Sequence, residues 1–160
     1  MKTYKLERTQ RIKGDIAEVW DFFSNPENLD NLTPPNMGFK ILSEMPLPKM
    51  HEGQIIEYHV SPILNIPLHW KTEITEVIPY KSFVDNQLKG PYKLWHHEHI
   101  FEVDGDEVIM KDIVQYQLPF GILGQMFHPI FIKNKLEDIF TYRYKRVEEL
   151  FRQQESELAN

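Results

Sequence analysis

Two hydrophobic periods divide this chain. From Tyr4 to Lys13 the residues alternate, with Tyr4, Leu6, Arg8, Gln10 and Ile12 on one face and Lys5, Glu7 and Arg11 on the other, which predicts a strand. Gly14 ends it. Asp15 and Glu18 have the spacing of a capping box, and Ile16, Val19, Trp20 and Phe23 then share one face of a short helix. Asn25-Pro26-Glu27 starts a second helix with Pro at an early helical position, and Pro34-Pro35 stops it after Leu32. The period of two then returns. It predicts strands over 39–43, 54–61, 68–78, 82–88, 94–103 and 108–118, separated by turn sequences such as Pro79-Tyr80-Lys81 and Asp104-Gly105-Asp106.

From about Phe120 the period becomes helical and stays so. Leu123, Met126, Phe127, Ile130, Phe131, Leu136, Ile139, Phe140, Tyr144, Val147, Leu150 and Phe151 recur at three-and-four spacing, one apolar stripe on a long helix. Such a stripe needs a partner surface. A curved antiparallel sheet of seven strands wrapped around it supplies one, so the expected class is α+β, with two short helices after the first strand. His128-Pro129 interrupts the helical pattern and reads as a helix start, a kink or the hinge of a lid.

A meander places alternate connections at the same end of the sheet, which brings 61–67, 89–92 and 119–124 together. Two of these connections are apolar, whereas Asp104-Gly105-Asp106 at the other end is polar. Apolar residues such as Ile63, Leu64 and Ile66 there read as a binding mouth, as core or as an interface.

Composition narrows the function classes. At 160 residues, 41% hydrophobic and 26% charged, the expectation is one globular domain over 1–160. A net charge of -6, from 18 Lys plus Arg against 24 Asp plus Glu, argues against a nucleic-acid partner. The chain has no cysteine, hence no disulfide or thiolate chemistry, and no run of about eighteen apolar residues that would span a membrane. A cytoplasmic protein is expected. Oligomeric state stays open.

The chemistry-bearing stretch is Trp95-His96-His97-Glu98-His99-Ile100-Phe101. As a strand it points Trp95, His97, His99 and Phe101 to one face. On the next strand Met110, Asp112, Val114 and Tyr116 share a face, which brings Asp112 near the histidine pair if the two faces coincide. Tyr58, Trp70, Asp85 and Gln87 from earlier strands, with Phe127, Phe131 and Arg143 from the helix, complete an aromatic-walled pocket with few polar anchors. His97, His99 and Asp112 form an acid–base set or a satisfied buried network. With no third histidine or second acid at ligand spacing, no metal and no cofactor are expected. Arg143 either meets an acid inside or reaches out to solvent.

Several runs resemble one superfamily: Leu32-Thr33-Pro34-Pro35, Gly53 to Tyr58, Trp70 to Ile74, Phe83 to Tyr92, Trp95 to Phe101, and Tyr116-Gln117-Leu118-Pro119-Phe120-Gly121. Together they resemble bacterial stand-alone ligand-binding proteins of the START and Bet v 1-like superfamily, which includes polyketide cyclase and dehydrase-like proteins. The resemblance implies the helix-grip fold and a deep hydrophobic cavity for a lipid-like, aromatic or polyketide-like molecule. It carries over no catalytic residue. Two expectations follow: a binding or carrier module for an apolar small molecule, or a cyclase or dehydratase-type enzyme in which His97 or His99 moves a proton and Asp112 orients it.

Overall fold

The computed structural model describes residues 1–62, 65–119 and 129–159. In chain order the elements are β1 (Tyr4–Lys13), α1 (Ile16–Phe23), a 3-10 turn (Pro26–Asn28), α2 (Leu29–Leu32), a second 3-10 turn (Pro35–Met37), β2 (Lys40–Ile41), β3 (Ile55–Val60), β4 (Leu68–Ile78), β5 (Ser82–Lys89), β6 (Leu94–Asp104), β7 (Glu107–Gln117) and α3 (Pro129–Leu158). The seven strands form one antiparallel sheet in the order β1-β7-β6-β5-β4-β3-β2, so the first strand lies beside the last. This is the helix-grip fold. Register shifts between Lys71 and Thr72 and between Ile74 and Glu76 mark irregularities in the β4–β5 pair. Extra residues of this kind bend a strand and increase its twist, which curves the sheet around the helix.

Local sequence explains each boundary. Asp15 caps α1 by accepting from the Ala17 amide, and Val19 and Phe23 bury the predicted face. Asn25 caps the next turn by accepting from the Glu27 amide, with Pro26 at its first position. Gly105, at φ 64°, takes the first central position of the two-residue β6–β7 turn, where a positive φ matches the twist of the strands.

The inner face of the sheet is covered along its length by two different partners. One apolar cluster joins Ile12, Val19, Phe23, Leu32, Phe83, Phe101, Val108, Met110, Val147 and Phe151 beneath α1. A second joins Leu6, Trp95, Val114, Tyr116, Ile132, Leu136 and Phe140 under the N-terminal half of α3. Burying one such side chain contributes about 1.5–3 kcal/mol.

The helical stripe differs from the expected one at its start. Among the described residues α3 begins at Pro129; Ile130 is 61% exposed and Phe131 40%, while Ile132 is buried in their place. Position 132 is four residues before 136 and eight before 140, the row that faces the sheet, and 130 and 131 point off it. Tyr144, also expected in the stripe, is 38% exposed, and its carbonyl accepts from Gln10 Nε2 at 2.8 Å. Leu123, Met126 and Phe127 lie outside the described residues. No helix among the described residues is long and apolar enough to cross a membrane.

Candidate functional site

Sheet, α1, α2 and α3 enclose a cavity of about 550 Å³. Tyr58, Trp70 and Trp95 line its sheet side, Leu136, Ile139 and Phe140 its helix side, and Phe22, Phe23, Leu29 and Leu32 its third wall. The rings are mutually packed: Tyr58 stacks on Trp70 at 5.9 Å, and Trp95 meets Trp70 edge-on at 5.3 Å. Connecting segments close one end, where Pro62, Ile66, Gly90, Pro91, Tyr92 and Pro119 all reach the cavity. The described residues of the three connections therefore do gather at the cavity. Ile63, Leu64 and residues 120–124 of these connections lie outside the described residues.

Between the two apolar clusters runs a polar layer. His97 Nε2 lies 2.8 Å from Asp112 Oδ1, and His99 Nε2 lies 2.7 Å from Asp85 Oδ2. The other nitrogens face the opposite partners: His97 Nδ1 is 3.5 Å from Asp85 Oδ2, and His99 Nδ1 is 3.3 Å from Asp112 Oδ1. The two imidazole rings lie 3.7 Å apart, and the free face of His99 stacks on Phe83 at 4.0 Å. Arg143 turns inward, with Nη2 3.8 Å from Asp112 Oδ1 and its guanidinium 5.7 Å above the Phe23 ring. Register explains the assembly: Asp85 is the cross-strand partner of His97, and Asp112 that of His99.

Burial sets the charges of this layer. It opposes ionisation of Asp112, yet the Arg143 charge and the bonds from both histidines hold that carboxyl well below the usual range. Burial also opposes the Asp85 carboxylate, and the His97 and His99 charges with the bond from His99 bring its pKa down. His97 is pushed down by burial and by the charge on His99. For His99 the bonds to Asp112 and Asp85 outweigh burial and raise it. The two carboxylates outnumber the one guanidinium, and the shifts favour a proton on His99 over one on His97.

Of the residues the sequence nominates, Tyr58, Trp70, Asp85, Trp95, His97, His99 and Arg143 line the cavity. Five others do not. Phe101 is buried under α1 against Phe23 and Trp20, because the shared inner face is divided between two packed clusters. Asp112 sits behind the histidines. Tyr116 stacks on Tyr4 at 5.4 Å behind Tyr92 and Trp95. Gln87 is taken up by the β5–β6 turn, donating from Nε2 to the Tyr92 carbonyl at 2.7 Å and accepting from its amide at 3.2 Å. Phe131 points away from the sheet, with Lys135 Nζ 5.9 Å from its ring. Phe127 lies outside the described residues.

The expectation that no second acid joins the histidines is overturned: the donor atoms of Asp85, His97 and His99 all lie within 4.8 Å of one another. Spacing along one strand cannot reveal a ligand on its neighbour. Wall residues the sequence reading left out include Thr72, Tyr92, Leu136 and Phe140. The first continues the Leu68, Trp70 face of β4 and the last two the stripe of α3.

These features define a class: a helix-grip protein with one deep apolar cavity and an ionised patch in its wall. Solved structures carry the same fold. The Zhui aromatase/cyclase from Streptomyces sp. R1128 is similar over 96% of both chains, with a TM-score of 0.75 and 14% identity. Major latex-like protein 151 from Panax ginseng is similar over 93% of this chain and 97% of its own, with a TM-score of 0.67 and 17% identity. The di-domain aromatase/cyclase StfQ of the steffimycin pathway is similar over 96% of this chain and 52% of its own, with a TM-score of 0.72 and 9% identity. No family model and no curated protein sequence matches the chain.

Proposed function

We propose that this protein binds a hydrophobic small molecule of lipid-like, aromatic or polyketide-like character between the sheet and α3. One observation carries the reading: a cavity of about 550 Å³ walled by aromatic and aliphatic side chains, with Asp85, His97, His99 and Arg143 gathered in one part of that wall. Apolar area supplies affinity and the few polar groups fix orientation. Trp70 Nε1, buried without a hydrogen-bond partner, offers one more donor to a ligand oxygen. The fold shared with the aromatase/cyclases and the ginseng protein supports this reading.

A second reading is favoured by the same patch. A bound ketone or hydroxyl group beside His97 or His99 would meet an imidazole and carboxylate set able to move a proton, with Asp112 orienting the rings, as a cyclase or dehydratase requires.

Native mass spectrometry of the purified protein, compared with its denatured mass, tests the first reading. A retained organic molecule of a few hundred daltons, or uptake from a panel of fatty acids and polycyclic aromatics with quenching of Trp70 and Trp95 fluorescence, is the expected result. A bare mass with no uptake would overturn it. For the second, His97→Gln and His99→Gln must abolish turnover of a captured substrate while leaving it bound; unchanged turnover refutes proton transfer.

A further inference from the structure

The polar layer has a property that goes beyond ligand binding. Each histidine turns one ring nitrogen to Asp112 and the other to Asp85. Asp112 lies behind the rings, away from the cavity, while Asp85, His97 and His99 line it. A carboxylate behind a ring stabilises the tautomer whose N–H faces that carboxylate. Asp112 so sets His97, whose Nδ1 lone pair faces Asp85 Oδ2 at 3.5 Å, while a proton lies between His99 Nε2 and the same oxygen at 2.7 Å. The ligand atoms of all three residues lie within 4.8 Å of one another, so a metal ion that displaces this proton would meet two imidazole nitrogens and a carboxylate oxygen.

We propose that Asp85, His97 and His99 form a site for one divalent transition-metal ion of the zinc or iron(II) type, its remaining coordination positions open to the cavity. Two imidazoles and one carboxylate are a ligand set these ions accept with positions left for other ligands. The preformed distances are near those needed. Donor atoms each about 2.0–2.1 Å from zinc lie about 3.4 Å apart at tetrahedral angles. His97 Nδ1 and Asp85 Oδ2 stand at 3.5 Å already, and the 2.7 Å between His99 Nε2 and Asp85 Oδ2 widens once the proton between them is replaced. Asp112 serves as the shared outer carboxylate of both rings, and Arg143 offsets its charge. With both histidines neutral the layer carries one net negative charge; a divalent ion turns this to one positive. An oxyanion at the open position, from hydroxide or a bound molecule, restores neutrality.

Zinc titration of the purified chain by calorimetry, after dialysis against a chelator, tests the site, and cobalt(II) absorption reports its geometry. One equivalent should bind, with the ligand-field bands of a low-coordinate nitrogen and oxygen site. Asp85→Asn and His97→Gln should each remove that step, and Asp112→Asn should weaken it about 10–100-fold. His59→Gln with His69→Gln, on the outer face of the sheet, should leave it unchanged. Absence of a one-equivalent step in the unmutated chain would overturn the proposal whether or not any variant folds. So would a step that survives both Asp85→Asn and His97→Gln, or one lost only with His59 and His69. Uptake of an apolar ligand without zinc binding would overturn the metal site and leave the cavity reading intact.

Discussion

Replacing Arg143 with Met tests how the polar layer is held. The variant keeps the length and packing of the stem and removes only the charge. Arg143 Nη2 lies 3.8 Å from Asp112 Oδ1, with the two side chains 14% and 11% exposed. At an effective dielectric constant of about 20, opposite charges at that separation attract by about 4 kcal/mol. The guanidinium over Phe23 adds about 0.5–1 kcal/mol. Removing the guanidinium also relieves its own burial cost, so the net loss should be about 3 kcal/mol, in line with stranding one member of a buried pair. For a chain of this size that lowers the melting temperature by about 6–12 °C. Urea unfolding followed by tryptophan fluorescence and far-ultraviolet dichroism measures it. Adding Asp112→Asn removes the stranded charge, and the double variant should be more stable than the sum of the single losses by about 2 kcal/mol. A loss below about 1 kcal/mol for Arg143→Met, or strict additivity in the cycle, would refute the view that this pair holds the layer.

Two further outcomes follow from other parts of the cavity. A Cβ at Gly90 would lie 2.4 Å from Gln87 Oε1, the atom that accepts from the Tyr92 amide. Gly90→Ala should therefore open the clasp and cost about 1–2 kcal/mol, Gln87→Ala a similar amount, and the double variant no more than either, as chemical denaturation will report. Phe140→Ala, at a wall position that is only 7% exposed, should cost about 3–5 kcal/mol and shift affinity in the ligand panel towards bulkier molecules; unchanged selectivity would mean that Phe140 does not shape the binding space.

The strand pattern was legible because side chains alternate strictly. Leu6, Gln10 and Ile12 face inward on β1, and Trp95, His97, His99 and Phe101 on β6. Asp112 was legible for the same reason. Asp85 was visible as an inward residue but not as the partner of both histidines, since that depends on the register of two strands, one of which carries irregularities with its other neighbour. Alternation likewise places Phe101 on the inner face without saying that α1 covers that part of it. Arg143 was within reach: Ile132, Leu136, Phe140, Val147 and Phe151 leave a gap in the stripe that position 143 fills, three residues after 140 and four before 147. A cation inside an apolar row needs an anion opposite. The exposed Ile130 and Phe131 misled because apolar residues in the first turn of a helix need not share the face of the turns that follow.

The strand order also bears on how the protein is made. Among the described residues β1 pairs only with β7, Tyr4 opposite Tyr116, so β1 leaves the ribosome well before its partner. At about 5–20 residues per second that interval is on the order of ten seconds. Until β7 emerges, Leu6, Gln10 and Ile12 lack the strand they pair beside, and β2 to β6 can form no more than a five-stranded meander. Closure of the sheet, and with it the cavity wall that holds Asp112, waits for the synthesis of β7.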